Sequence, residues 1–127
     1  MGLREPYKKQ RTPTGILPRL RVICGENIAL GPGKIDLLQA VQQSGSIRKA
    51  AMQLGMSYMR AWTLIRTMNK SFKEPLVIAL RGAVERGGGA HLTETGRTVL
   101  AVYQRMNAKC LRVVAPEWRQ LRTLLRA

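Results

Sequence analysis

The chain of 127 residues has few of the side chains that most catalytic and metal sites require. It contains one histidine, His91, two cysteines, Cys24 and Cys110, and only 7 acidic residues, which are scattered singly. Cysteines and histidines at zinc-binding spacing are missing, and a Cys-His or Ser-His nucleophilic centre would depend on His91 alone. The composition predicts a protein that is not an enzyme and holds no metal or cofactor. Two distant cysteines suit a reducing compartment, where we expect both to be buried as small apolar side chains.

Long apolar runs are also missing. The longest one near the middle covers residues 76–80, far short of the roughly 20 residues that cross a bilayer. The N-terminus is basic but lacks the apolar stretch of a secretion signal. We therefore expect a cytoplasmic protein with no membrane partner.

The few acids leave the charge strongly unbalanced. Lysine and arginine number 22 against the 7 acids, a formal net charge of +15, while 45% of the residues are apolar. The apolar share is sufficient for one folded domain, and the charge favours a polyanionic partner. Residues 1–15 have few apolar side chains and are predicted to be a flexible basic arm. Residues 16–127 are predicted to be a single domain.

Periodicity and turn residues predict a helix-turn-helix in the first half of this domain. Apolar residues on either side of Gly25 predict a short hairpin within residues 17–30, and Pro32 suits the first turn of a helix that ends near Gln43. Ser46 is predicted to cap a second helix, which Gly55 ends, and Ser57 a third. Two short helices joined by a glycine turn are typical of the motif.

A wing and two further helices are predicted to follow. Residues 76–80 and 90–92 are predicted to be strands that flank a glycine-rich loop, and Thr93 is predicted to cap a long helix. That helix has apolar residues at spacings of three and four, namely Val99, Val102, Tyr103, Met106, Cys110 and Val113. A last amphipathic helix is predicted over residues 117–126, with apolar residues Trp118, Leu121, Leu124 and Leu125. The expected fold is mainly α with a small β-wing, a winged helix-turn-helix with a long C-terminal dimerisation helix, which predicts a homodimer.

The third helix carries basic residues opposite its apolar stripe and contains no acid, which suits the major groove of double-stranded DNA. Its first turns are expected to reach base edges, and its later basic residues are expected to contact phosphates, as are the arginines of the wing. A solvated basic face is the alternative, and Tyr58 and Trp62 are expected to pack in the core rather than to stack on bases. The glycine loop lacks the Lys-Ser or Lys-Thr of a nucleotide-binding P-loop. The predicted DNA-binding residues are Ser46, Arg48, Ser57, Tyr58, Met59, Arg60, Thr63, Arg66, Lys70, Arg81 and Arg86.

The segment GSIRKAAMQLGMSYMRAWTLIRTMN, followed by PLV, a stretch ending in GGG, and LTETG, resembles the N-terminal DNA-binding domain of the ModE family of molybdate-responsive regulators. More distantly, it is similar to the winged helix of LysR-type regulators. The resemblance covers roughly residues 20–110. It implies a winged helix, a homodimer, palindromic operators, and control of genes for molybdate transport or molybdoenzymes.

Two differences from the family pattern modify this expectation. Full-length members continue into a molybdate-binding region with an OB-like barrel, which we expect this chain to lack, so we expect no saturable molybdate binding. The wing has an inserted Val84-Glu85, so its contacts are expected to differ. Two other functions stay open: a protein-interaction module that heterodimerises with a full-length relative without reading DNA, and a general RNA or membrane-surface binder.

Overall fold

A computed structural model of the chain describes residues 14–80 and 89–126. Nearly all of the predicted basic arm lies outside these ranges, as do Arg81 and Arg86. The described elements, in chain order, are β1 (Val22–Cys24), β2 (Asn27–Leu30), α1 (Pro32–Ser44), α2 (Ile47–Leu54), α3 (Tyr58–Ser71), β3 (Val77–Ala79), β4 (Ala90–Leu92), α4 (Glu94–Val113) and α5 (Ala115–Arg122). The predicted fold, mainly α with a small β-wing and a long C-terminal helix, is confirmed, while the role of that helix in dimerisation stays a prediction.

The predicted turns and caps set the geometry of the helix-turn-helix. Gly45 and Gly55 end α1 and α2 with φ of 71° and 68°, a left-handed conformation that costs glycine little. The Ser46 hydroxyl accepts a hydrogen bond from the backbone N–H of Lys49 at 3.1 Å, and the Ser57 hydroxyl accepts one from Arg60 at 3.0 Å. Both serines therefore begin their helices as predicted.

The core lies between the helix-turn-helix, the two small sheets and the first half of α4. Small side chains Ala50, Ala51 and Ala61 are buried and let α2 and α3 approach closely. Met56, between α2 and α3, is only half-buried. The largest fully buried side chains are Leu37, Leu38, Val41, Ile47, Ile65, Met68, Leu76 and Tyr103.

The wing is a two-stranded antiparallel sheet in which Val77 pairs with Leu92 and Ala79 with Ala90. Its returning strand is joined to the turn between α1 and α2, because the Ala90 N–H donates to the Gly45 carbonyl at 3.1 Å. Its outgoing strand is joined to α3 through Asn69. The Asn69 side chain accepts hydrogen bonds from the Leu76 and Val77 N–H groups at 2.7 and 3.2 Å and donates to the Val77 carbonyl at 3.0 Å. The base of the wing is thus fixed to the helix-turn-helix from two sides.

The first half of α4 closes the core. The Thr93 hydroxyl caps this helix by accepting from the Gly96 N–H at 2.9 Å, and it donates to the Pro75 carbonyl at 2.7 Å. The Tyr103 hydroxyl donates to the Leu20 carbonyl at 2.6 Å, which joins α4 to the chain before the hairpin. Burial, followed by the charge of Asp36, raises the pKa of Tyr103, so its hydroxyl keeps the proton that it donates.

The predicted apolar stripe of α4 is only partly buried. Tyr103 is buried, together with Leu100, which the periodicity did not select, but Val113 is 75% exposed and Val102 and Met106 are also exposed. The buried residues of α4 all lie at or before Tyr103, because this first half of the helix is the part that packs against the core. The last helix begins at Ala115 rather than Glu117, with Pro116 in its first turn, and ends at Arg122, so Leu124 and Leu125 follow it.

The prediction that both cysteines are buried is wrong. Cys24 is exposed and Cys110 is half-buried, and both are free thiols. Cys24 ends β1 beside the tight turn at Gly25, where the hairpin leaves the core. Among the described residues, no helix is both long and apolar enough to cross a membrane.

Candidate nucleic-acid interface

The exposed face of α3 combines basic, polar and apolar side chains and contains no acid. Its members occur at spacings of three and four, which places them on one side of the helix. Met59 is 69% exposed at the start of this face. The exposed residues of the face are Met59, Arg60, Thr63, Arg66 and Lys70, all of which the sequence analysis selected.

The hydroxyl groups along α3 bond to the helix itself. The Thr63 hydroxyl donates to the Met59 carbonyl at 3.0 Å, and the Thr67 hydroxyl donates to the Thr63 carbonyl at 3.0 Å. Each oxygen retains lone pairs that can accept a further hydrogen bond. In this arrangement, Thr63 offers an acceptor to a groove, whereas Arg60, Arg66 and Lys70 offer donors.

The two predicted cap serines differ in their exposure. Ser57 is exposed at the start of α3, beside Met59 and Arg60. Ser46 is 7% exposed, so the fold does not place it on the exposed face. The hydroxyl of each serine is committed to its own helix. A DNA contact by either side chain stays a prediction.

Arg48 on α2 extends the basic face beyond α3. Its guanidinium lies over the ring of Tyr58, 4.3 Å from the ring centroid. The Tyr58 ring in turn meets Trp62 edge-on, with 6.3 Å between centroids and 87° between planes. Both aromatic residues are half-buried and pack against the core, as expected from the sequence. Arg48 is exposed to solvent, and its guanidinium packs on the Tyr58 ring.

Sequence reasoning missed two residues of this surface on α2. Lys49 and Met52 are exposed next to Arg48, and Met52 is 74% exposed. The signal was present, because α2, like α3, contains no acid. It also missed Asn69, whose hydrogen bonds to residues 76 and 77 cannot be read from helical periodicity.

The described residues of the wing include none of the predicted DNA-binding residues. Arg81 and Arg86 lie outside the described residues, so their predicted phosphate contacts stay predictions. His91 is exposed on β4, as a wing-strand side chain. Within residues 14–80 and 89–126, no group of three or more His, Cys, Asp and Glu side chains could hold a metal ion.

Comparison with known proteins identifies the class. Residues 33–97 match the bacterial regulatory helix-turn-helix proteins of the lysR family. This segment runs from the start of α1 to the first turn of α4 and so includes the helix-turn-helix and the wing. The chain belongs to this family.

Individual relatives are similar to this chain over 72 to 93 residues. The chain is 40% identical over 93 residues to the molybdenum transport protein ModE of Azotobacter vinelandii, which covers 73% of this chain and 34% of that protein. It is 42% identical over 72 residues to the transcriptional regulator ModE of Yersinia pestis, 57% of this chain and 27% of the relative. The dual regulator ModE of Escherichia coli K12 is 39% identical over the same length. The chain thus spans about a third or less of the length of these relatives.

Proposed function

We propose that this chain binds double-stranded DNA as a transcriptional regulator, with α3 in the major groove. The observation that carries the proposal is the acid-free exposed face formed by α2 and α3, on which every charged side chain is basic. Surface helices usually mix charges of both signs, so a face with only positive charge favours contact with phosphates. The role is binding without a catalytic step, in the cytoplasm.

Arg60 and Lys70 lie near opposite ends of α3, and their positions suggest different contacts with DNA. Arg60 lies in the first turn, the part of a recognition helix that lies deepest in the groove, and an arginine there can bond two acceptors of guanine. Lys70 lies in the last turn, where a lysine suits a phosphate. Arg60 is therefore proposed to read sequence and Lys70 to add affinity without preference.

The regulated genes are proposed to be those of molybdate transport or of molybdoenzymes. The support is similarity to relatives whose names connect them with molybdenum transport and with transcription. We assign no molybdate site to the described residues. An oxyanion site needs several hydrogen-bonding groups close together. The capping residues at helix N-termini that offer such groups already cap their own helices, namely Ser46, Ser57 and Thr93.

Substitutions of Arg60 and Lys70 test the DNA-binding proposal. Arg60→Ala is expected to lower affinity for a specific palindromic duplex by about 1 to 3 kcal/mol and to change random DNA little. Lys70→Ala is expected to weaken both duplexes alike and to reduce the salt slope of binding by about 1. Titration by fluorescence anisotropy at several salt concentrations measures both effects.

Three outcomes would contradict the proposal. Equal losses for both duplexes in Arg60→Ala would exclude base reading by this residue. Absence of DNA binding at low salt would favour an interaction module that pairs with a full-length relative. Binding to RNA, duplex DNA and anionic vesicles without preference would indicate a general polyanion binder.

We also propose that the chain forms a homodimer through α4 and α5. Beyond Tyr103 these helices contain no residue that is buried as a whole, and Leu121 and Val113 are 54% and 75% exposed. Exposed apolar residues concentrated in one region are typical of an interface. A second copy of the chain, which carries the same apolar face, could cover it by twofold symmetry, the commonest arrangement of oligomers.

The double substitution Leu121→Asp with Leu125→Asp is expected to give monomers in sedimentation velocity, because two charges would have to be buried at the interface. Met52→Asp is the matched control, since it also replaces an exposed apolar side chain but lies on α2. The control is expected to stay dimeric. If the double variant is folded and still dimeric, the interface lies elsewhere, and the hairpin within residues 17–30 is the next candidate.

A further inference from the structure

Tyr58 lies at the candidate interface, yet its hydroxyl cannot reach DNA. The oxygen is buried in the chain and has no hydrogen-bond partner among the described residues. One face of its ring is covered by the Arg48 guanidinium, and the ring meets Trp62 edge-on. Neither a hydrogen bond to a base nor stacking on the covered face is therefore available. The residue must contribute in another way if it contributes to binding.

The arrangement of the three side chains indicates that way. Trp62 and Tyr58 pack against the core, and Arg48 rests on the outer ring of this pair. An arginine at 4.3 Å from a ring centroid is held by attraction between its cation and the π electrons, with flat stacking available to the planar guanidinium. A free arginine would lose much rotamer entropy on binding DNA, and one that is already held loses less.

The position of Arg48 points to a phosphate as its ligand. Arg48 lies in the first turn of α2, where the helix dipole disfavours a positive charge and where neither α2 nor α3 supplies an acid. With its Cζ over the ring, the guanidinium also has N–H groups that can donate to the oxygens of a phosphate.

On this basis, and resting on the proposed DNA binding, we infer that Arg48 is a preorganised phosphate clamp and that Tyr58 is the positioning residue that holds it. Tyr58 acts through its ring and not through its hydroxyl. Arg48 contributes affinity that is independent of sequence, alongside Lys70, and α2 therefore takes part in binding together with α3.

The test uses the full chain and a random-sequence DNA duplex, because a phosphate contact needs no operator. Arg48→Ala is expected to weaken binding about 10-fold and to reduce the salt slope by about 1. Tyr58→Leu is expected to cause a similar loss, and Tyr58→Phe, which keeps the ring, is expected to bind like the original chain. In the double variant Arg48→Ala with Tyr58→Leu, the losses are expected not to add.

Lys49→Ala is the matched control. Lys49 is an exposed basic residue next to Arg48, but the cation that lies over the Tyr58 ring is that of Arg48. The loss in Lys49→Ala is expected to add fully to that of Tyr58→Leu. Thermal unfolding of each variant shows whether the fold is kept. If Tyr58→Leu does not fold, NMR relaxation of the Arg48 Nε–H in the original chain decides, since a held guanidinium is more ordered than that of Arg66.

The outcomes separate this inference from the proposed function. If Arg48→Ala binds normally while Lys70→Ala binds weakly, the clamp is wrong and DNA binding stands. Additive losses for Arg48 and Tyr58, a folded Tyr58→Leu without loss, or an Arg48 as mobile as Arg66, would each exclude positioning by Tyr58. If the original chain binds no duplex at low salt, the proposed function and the clamp both fail.

Discussion

Gly96→Ala is expected to destabilise the protein by about 3 kcal/mol, because an added methyl group would collide with backbone. A Cβ at this position would lie 2.2 Å from the carbonyl oxygen of Leu76 and 3.0 Å from its carbonyl carbon. Leu76 is fully buried, so neither the strand entry nor the first turn of α4 can shift without disturbing the core. Equilibrium unfolding in urea, followed by circular dichroism, measures the loss.

Gly33→Ala provides the matched control for this prediction. Gly33 also lies in the first turns of a helix, but a Cβ there would meet no heavy atom within 4 Å. The substitution is expected to leave stability unchanged or to raise it by up to about 1 kcal/mol, through helix propensity and a less flexible unfolded chain. Equal stabilities for the two alanine variants would show that α4 and residue 76 do not approach this closely.

Asn69→Ala is expected to cost about 3 kcal/mol, since it leaves backbone groups of residues 76 and 77 without partners at buried positions. Asn69→Asp keeps the acceptor oxygens but replaces the donor to the Val77 carbonyl with a charged oxygen. Its cost is expected to be intermediate at neutral pH. The same urea titration measures both variants.

Asn107→Ala is the control for this pair. The Oδ1 atom of Asn107 is buried on α4 and has no hydrogen-bond partner among the described residues. Removing it relieves an unsatisfied acceptor, and alanine favours the helix, so the variant is expected to be as stable as the original chain or more so. If Asn69→Ala were as harmless as Asn107→Ala, the proposed attachment of the wing to α3 would not contribute to stability.

The local features of the fold could be predicted because they depend on neighbours in the sequence. Serine caps, glycine stops and the first-turn Pro32 act through the backbone within a few residues, and the structure confirms them at Ser46, Ser57 and Gly55. The basic face of α3 was predictable for the same reason, because helical spacing alone places its residues together.

The remaining features depend on tertiary contacts that no local pattern encodes. Asn69 looks like an ordinary polar residue of a helix until the strand entry lies beside it. The stripe of α4 appears uniform in sequence, but only its first half meets the core, so Val113 is exposed and Tyr103 buried. The Tyr58 ring could be predicted as core or as interface, and the fold places it between the two, under Arg48.

The hydrogen bond between Tyr103 and Leu20 has a consequence for how the domain folds. It joins residues that are 83 positions apart, and neither of them belongs to the segment 33–97 that defines the family. The helix-turn-helix and wing are therefore stabilised by a contact whose two partners flank them on either side. Leu30, Leu100 and Tyr103 also lie outside this segment and belong to the buried core, so a fragment of residues 33–97 would lose part of the apolar burial that stabilises it. The segment 33–97 is thus expected to fold cooperatively with its flanks and not as an autonomous fragment.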